Sequence, residues 1–197
     1  MTRDIASESP TILTEEEYLA FERSSEIKHE YLSGHVYVMA GATREHNLIT
    51  GNVSGELRRQ LRGKPCETYS NDMRVKISET GLYTYPDVVV VCGAPLFSDD
   101  RRDTLINPML IVEVLSPSTE GYDRGEKFKY YRSIEPFSEY VLIAQYKMAA
   151  DHFVKQDNTW TIREVDREIR LVTIPCLLTF SEIYDRVGFV AERESEK

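Results

Sequence analysis

Two uninterrupted apolar runs constrain this chain more than any other feature. They are Val88-Val89-Val90-Val91, inside Pro86–Cys92, and the segment Met109–Leu115, which reads Leu110-Ile111-Val112-Glu113-Val114-Leu115 at its centre. A strand with one wet face alternates apolar and polar residues, whereas a run apolar on both faces has to be covered on both. Each run is therefore predicted to be a central strand with layers packed above and below it. With 197 residues, 41% of them hydrophobic, one domain can bury such a sheet. The expectation is one domain over 1–197, its core spanning about 14–187.

The flanking pattern supplies the layers. Thr14-Glu15-Glu16-Glu17 has capping-box spacing and predicts a helix from Glu15 to Arg23. Ile27–Leu32 and His35–Ala40 flank Ser33-Gly34, a hairpin signal. Thr43 opens a long helix in which Ile49, Val53, Leu57 and Leu61 form one apolar stripe, ended by Gly63 and Pro65. Met73, Val75 and Ile77 alternate with Arg74 and Lys76 as in a half-buried strand. Glu120–Arg132 reads as helical despite Gly121 and Gly125, with Phe128 and Tyr131 as its apolar contacts. Strands follow at 138–144, 149–154, 159–165 and 169–174, and Thr179 caps a short helix, Ser181–Val187, before a charged tail from Ala191, expected to fray. The order predicts an α/β (α+β-like) chain: a mixed sheet with a few flanking helices and an N-terminal helix plus hairpin.

Charge and cysteine usage narrow the function classes. Lys and Arg number 24 against 33 Asp and Glu, a net charge of −9, which argues against wholesale nucleic-acid binding, although a local patch can dominate a cleft. Cys66, Cys92 and Cys176 show no CxxC or Cys/His spacing, so they read as three reduced, buried thiols rather than a disulfide framework or a zinc site. No apolar run approaches the roughly 20 residues that cross a bilayer. The acidic Met1–Glu17 resembles neither a signal nor a transit peptide. The expected location is cytoplasmic, with no membrane partner.

Glu113 is the most informative residue, because a carboxylate in a continuous apolar strand requires a partner. One reading is a structural salt bridge to a neighbouring Arg or Lys. Asp87, opening the other run directly after Pro86, offers a second. The connection Gly93–Asn107 is long enough to return the chain antiparallel, which sets the start of one strand beside the end of the other. Two carboxylates about 4 Å apart repel by roughly 4 kcal/mol at an effective dielectric of 20. That cost is met by protonation or by a cation between them, and hard oxygen donors favour magnesium or manganese. After Ser116-Pro117-Ser118-Thr119 comes the helix bearing Asp123, Arg124 and Lys127. Lys127 lies one turn after Asp123, on a face shared with Tyr130 and Tyr131. It forms either an i,i+4 ion pair, worth about 0.2–0.5 kcal/mol, or an ammonium aimed into a metal cleft to orient water and stabilise charge on phosphate.

Taken together, Tyr85-Pro86-Asp87, Val112-Glu113-Val114-Leu115-Ser116-Pro117-Ser118-Thr119, Tyr122-Asp123-Arg124 and Lys127-Phe128 with Tyr131 resemble the Uma-type nucleases of the PD-(D/E)XK, or restriction-endonuclease-like, superfamily. The N-terminal residues Tyr18-Leu19, Lys28-His29-Glu30-Tyr31-Leu32-Ser33-Gly34, Met39-Ala40-Gly41 and His46-Asn47 are similar too, so that the resemblance runs over residues 14 to 185. It implies a restriction-endonuclease-like core and a Mg2+- or Mn2+-dependent endonuclease acting on DNA. Asp87, Glu113 and the Val114 carbonyl would be metal ligands, with Asp87, Glu113 and Lys127 catalytic. The usual E-x-K lysine position is Leu115 here, and the resemblance implies that Lys127, on the following helix, is the substitute.

Glu30 is a candidate auxiliary acid or else an exposed strand residue, and His46 a candidate site residue or a local helix-start contact. His29, His35 and His152 have no partner recognisable in the sequence and are expected at the surface. Arg58, Arg59, Arg62 and Lys64 read as a solvated helix end, with a phosphate-holding role as the alternative. Tyr122, Tyr130 and Tyr131 read as core residues rather than base-stacking platforms. A homodimer is expected of a nuclease that cuts both strands, and the alternative function is a catalytically inactive binding or assembly module on the same fold.

Overall fold

The computed structural model describes residues 12–189. Along the chain lie α1 (Glu15–Glu22), β1 (His29–Leu32), β2 (His35–Val38), α2 (Arg44–Gln60), β3 (Cys66–Ser70), β4 (Arg74–Ile77), β5 (Leu82–Thr84), β6 (Val88–Cys92), β7 (Thr104–Leu105) and β8 (Leu110–Leu115). The helical segment 120–131 follows and is termed α3. Then come β9 (Glu139–Ala144), β10 (Ala150–Gln156), β11 (Thr159–Val165), β12 (Glu168–Arg170), β13 (Leu177–Thr179) and α4 (Phe180–Ile183).

Six strands form the central sheet in the order β11-β10-β9-β8-β6-β3. All neighbours are antiparallel except β8 and β9, which are parallel. The crossover that parallel pairing requires is α3. Alternation along β6 and β8 explains why both runs are apolar throughout. Val88, Val90, Leu110, Val112 and Val114 pack under Ile49, Val53 and Leu57 of α2 and its C-cap Leu61, while Val89, Val91, Ile111 and Leu115 face Val75, Ile77, Leu82, Phe128 and Tyr131. The second layer includes a five-stranded sheet, β2-β1-β5-β4-β7. Its far face is closed by α1 through a Tyr18, Tyr31 and Tyr83 cluster. Ser33 and Gly34 both take positive φ, 50° and 92°, the backbone that a two-residue hairpin turn demands.

Several expectations change. Residues 120–131 are not one regular α-helix: Glu120–Tyr122 and Phe128–Tyr131 are α-helical, and Asp123–Lys127 between them is a π turn. The widened turn puts Asp123 and Lys127 against the sheet while Arg124, Gly125 and Glu126 stay outside. Cys66 and Cys92 are disulfide-bonded, since β3 and β6 pair them directly opposite each other; their distance in sequence hid a register contact. Only Cys176 is a free thiol, and it is buried. His29 is buried with Nδ1 2.9 Å from Glu22, and His152 is buried 2.5 Å from Glu139, so neither lies at the surface. Arg74 is buried as well, because Thr104, Tyr85 and Asp103 satisfy its guanidinium. Strands β3, β5, β7 and β13 lacked a usable periodicity, and the last strand expected, 169–174, is the shorter β12. The tail from Ala191 lies outside the described residues. Among the described residues no helix is long and apolar enough to cross a membrane.

Candidate active site

The β6–β8 register pairs Val88 with Val112 and Val89 with Ile111. One step further, Asp87 stands opposite Glu113. The Asp87 backbone N–H donates to Glu113 Oε2 at 3.3 Å, and the Val114 N–H donates to Asp87 Oδ2 at 2.7 Å. What Val114 presents to Asp87 is thus its amide. The other Asp87 oxygen, Oδ1, accepts from His46 Nε2 at 2.7 Å. His46 reaches it from the first turn of α2, whose N-cap Thr43 accepts the His46 backbone N–H.

From the opposite layer, α3 contributes Lys127. Its Nζ lies 3.0 Å from Glu113 Oε1, 3.3 Å from Glu30 Oε1 and 3.5 Å from Asp123 Oδ1. The same Glu113 oxygen accepts from the Tyr131 hydroxyl at 2.9 Å. Glu30, on β1, also accepts from Thr84 of β5. Lys127 therefore points inward, and its contact with Asp123 is one of three ion pairs rather than a surface i,i+4 pair. Leu115 packs in the core on the Glu113 face of β8, where a lysine would have completed an E-x-K motif. Among the described residues Lys127 is the only lysine or arginine that ion-pairs with Glu30, Glu113 or Asp123. Asp123 and Tyr131 belong to the cluster although the candidate set left them out; their four-residue spacing about Lys127 was the available signal. Thr84, in a three-residue strand, carried none.

The electrostatics follow from this crowding. Glu113 is 4% exposed; burial, with Asp123 and Asp87 adding to it against the pull of Lys127, pushes its carboxyl up to about 8. Burial also raises Asp123, despite Lys127. For Lys127 burial works against the charge, but Glu113, Tyr131, Glu30 and Asp123 outweigh it and hold the ammonium proton well above its ordinary range. Three carboxylates, Glu30, Glu113 and Asp123, face one permanent cation and Asp87 stands beside Glu113, so the cluster is short of positive charge.

The sequence profile of the Uma2 family, described as "Putative restriction endonuclease", matches residues 15–183. The chain belongs to the Uma2 family. Two uncharacterized Synechocystis proteins are similar to it: sll1609 is 39% identical over 155 residues, covering 78% of this chain and 88% of its own. The other, slr1290, is 38% identical over 162 residues, covering 81% and 83%. A solved structure from Anabaena variabilis, titled as a putative nuclease belonging to DUF820, superposes with a TM-score of 0.72 at 14% identity, over 88% of this chain and 98% of that one. That likeness shows the mixed α/β fold of this Uma2 chain.

Restriction-endonuclease-like nucleases typically use divalent metals. The donor chemistry of this site fits one: Asp87 and Glu113 offer hard carboxylate oxygens on adjacent strands, and the excess negative charge calls for a cation. Among the described residues no three His, Cys, Asp or Glu side chains already stand as a ligand set. His46, the Val114 amide, Tyr131 and Lys127 engage the carboxylate oxygens instead.

Proposed function

We propose that this Uma2 chain is a magnesium- or manganese-dependent endonuclease that hydrolyses phosphodiester bonds in DNA, with Asp87, Glu113 and Lys127 as its catalytic residues. The observation that carries the reading is the meeting of half-buried Asp87 with buried Glu113 beside an inward lysine, inside a family and fold of nucleases. Asp87, Glu113 and the Val114 carbonyl would hold the metal, which supplies Lewis-acid activation of the phosphate and of a water when bound. Lys127 stays protonated, so it acts as a donor: it orients the attacking water and offsets charge on the phosphoryl oxygens. Tyr131 and Glu30 fix the ammonium and its partner carboxylate, and His46 fixes the Asp87 carboxylate, so that few groups reorganise during attack. Glu30 and His46 are positioning residues in this account.

One observation favours the inactive-module reading. Lys127 itself fills the space between Glu30, Glu113 and Asp123, as a counter-ion built into the chain. Assays of Asp87→Asn and Lys127→Met on supercoiled, linear and single-stranded DNA with magnesium separate the two. The endonuclease reading expects wild-type cleavage and a loss of 100-fold or more in both folded variants. Wild-type inactivity on every substrate, with calorimetrically measured metal binding intact, would establish the module instead.

A further inference from the structure

Tyr37 stands at the rim of the cluster with 53% of its surface exposed. The β1–β2 register sets it directly opposite Glu30, and directly opposed residues of antiparallel strands project from the same face. Tyr37 therefore neighbours Glu30 on the β2 side, while the Glu30 carboxylate accepts from Thr84 on the β5 side and reaches Lys127. β2 is the edge strand of its sheet, so among the described residues no further strand covers that flank. Tyr122 approaches from α3: its ring lies 6.0 Å from Lys127 Nζ, and burial together with the nearby Glu30 charge raises its phenol.

Three cations beside the cluster are already paired. Lys28 pairs with Asp72 at 2.6 Å, Arg44 with Glu45 at 3.3 Å, and Arg124 with Glu120 at 2.7 Å and with Asp151. Duplex binding draws its strength from lysines and arginines that neutralise many phosphates. This mouth is acidic inside and aromatic outside, the arrangement that suits unpaired bases, which stack on exposed rings regardless of sequence.

We infer that the centre takes DNA through an unpaired nucleotide, in a single strand, flap or frayed end, with Tyr37 stacking on a base beside the scissile phosphate. The inference rests on the endonuclease reading and names the substrate class for the same site. One copy of the chain suffices for such a substrate.

The experiment measures binding by fluorescence anisotropy in a non-cleaving Glu113→Gln background, using a labelled 12-nucleotide thymidine strand and a 12-base-pair duplex. Tyr37→Ala is expected to weaken single-strand binding about 10-fold or more, Tyr37→Phe to hold it within twofold, and duplex binding to be weaker throughout. Because Tyr37 is exposed, neither variant endangers the fold. Wild-type cleavage with magnesium is run beside it. Tight duplex binding with no response to Tyr37→Ala overturns the inference, and wild-type cleavage of that duplex would leave the endonuclease reading standing. Ring-dependent single-strand binding without any wild-type cleavage supports the stacking site and overturns the endonuclease reading. No binding to either DNA overturns the inference, and cleavage alone then decides the endonuclease reading.

Discussion

Replacing Glu113 by Gln should change how stability depends on pH. A folded-state carboxyl raised to about 8 binds its proton more tightly than in the unfolded chain. The stabilisation it provides is therefore complete below the ordinary carboxylate range and is lost as pH climbs through 8. Each pH unit of that window is worth about 1.4 kcal/mol for one proton, which sets an upper limit of about 5 kcal/mol. The value of about 8 already includes the pull of Lys127 at 3.0 Å; a scan that starts at pH 5.5 covers only the upper part of the window, so the expected loss is about 3 kcal/mol. In a chain of this size that is a fall in Tm of about 6–12 °C between pH 5.5 and 8.5. Gln retains the Tyr131 and Lys127 contacts through its amide oxygen but has no proton to lose. Differential scanning calorimetry of both proteins across that range cancels the remaining titrating groups, and the difference curve should slope in favour of the variant as pH rises. Magnesium at pH 8.5 should recover the loss in the wild type only. Parallel curves for the two proteins would refute the argument that Glu113 is destabilised as a charged group.

Lys127→Met leaves Glu30, Glu113 and Asp123 buried without their ammonium, so urea unfolding at pH 8 should show a loss of about 3–5 kcal/mol, shrinking at pH 5 as the carboxyls take up protons. Cys66→Ser opens a cross-link spanning 26 residues of sequence and should cost about 3 kcal/mol in guanidinium unfolding. Reductant should lower wild-type stability by a similar amount and leave the variant unchanged.

What could be read in advance divides along physical lines. Asp87 and Glu113 were legible because an apolar run makes any carboxylate in it conspicuous, and because antiparallel return fixes which ends meet. Their juxtaposition needed only parity and register. Lys127 was legible as a helix-face neighbour of Asp123, but its contact with Glu30 was not, since that depends on how the hairpin sheet docks against α3. The π turn was equally hidden, as 3.6-residue periodicity cannot announce a single wide turn. Short β5 and β7 carry too few residues to show alternation, and β3 has a polar pattern, so the strand that carries Cys66 went unseen and with it the disulfide. His29 and His152 are buried because Glu22 and Glu139 accept from them, contacts made between residues whose own sequence neighbourhoods look solvated.

The cluster draws Glu30 from a hairpin, His46 from a helix start, Asp87 and Glu113 from two central strands and Lys127 from a crossover, roughly a hundred residues from first to last. No fragment that ends before Lys127 or starts after Glu30 holds a complete set. The cluster therefore assembles only once synthesis has passed the crossover and the layers have closed, and a copy truncated between Glu30 and Lys127 lacks part of it.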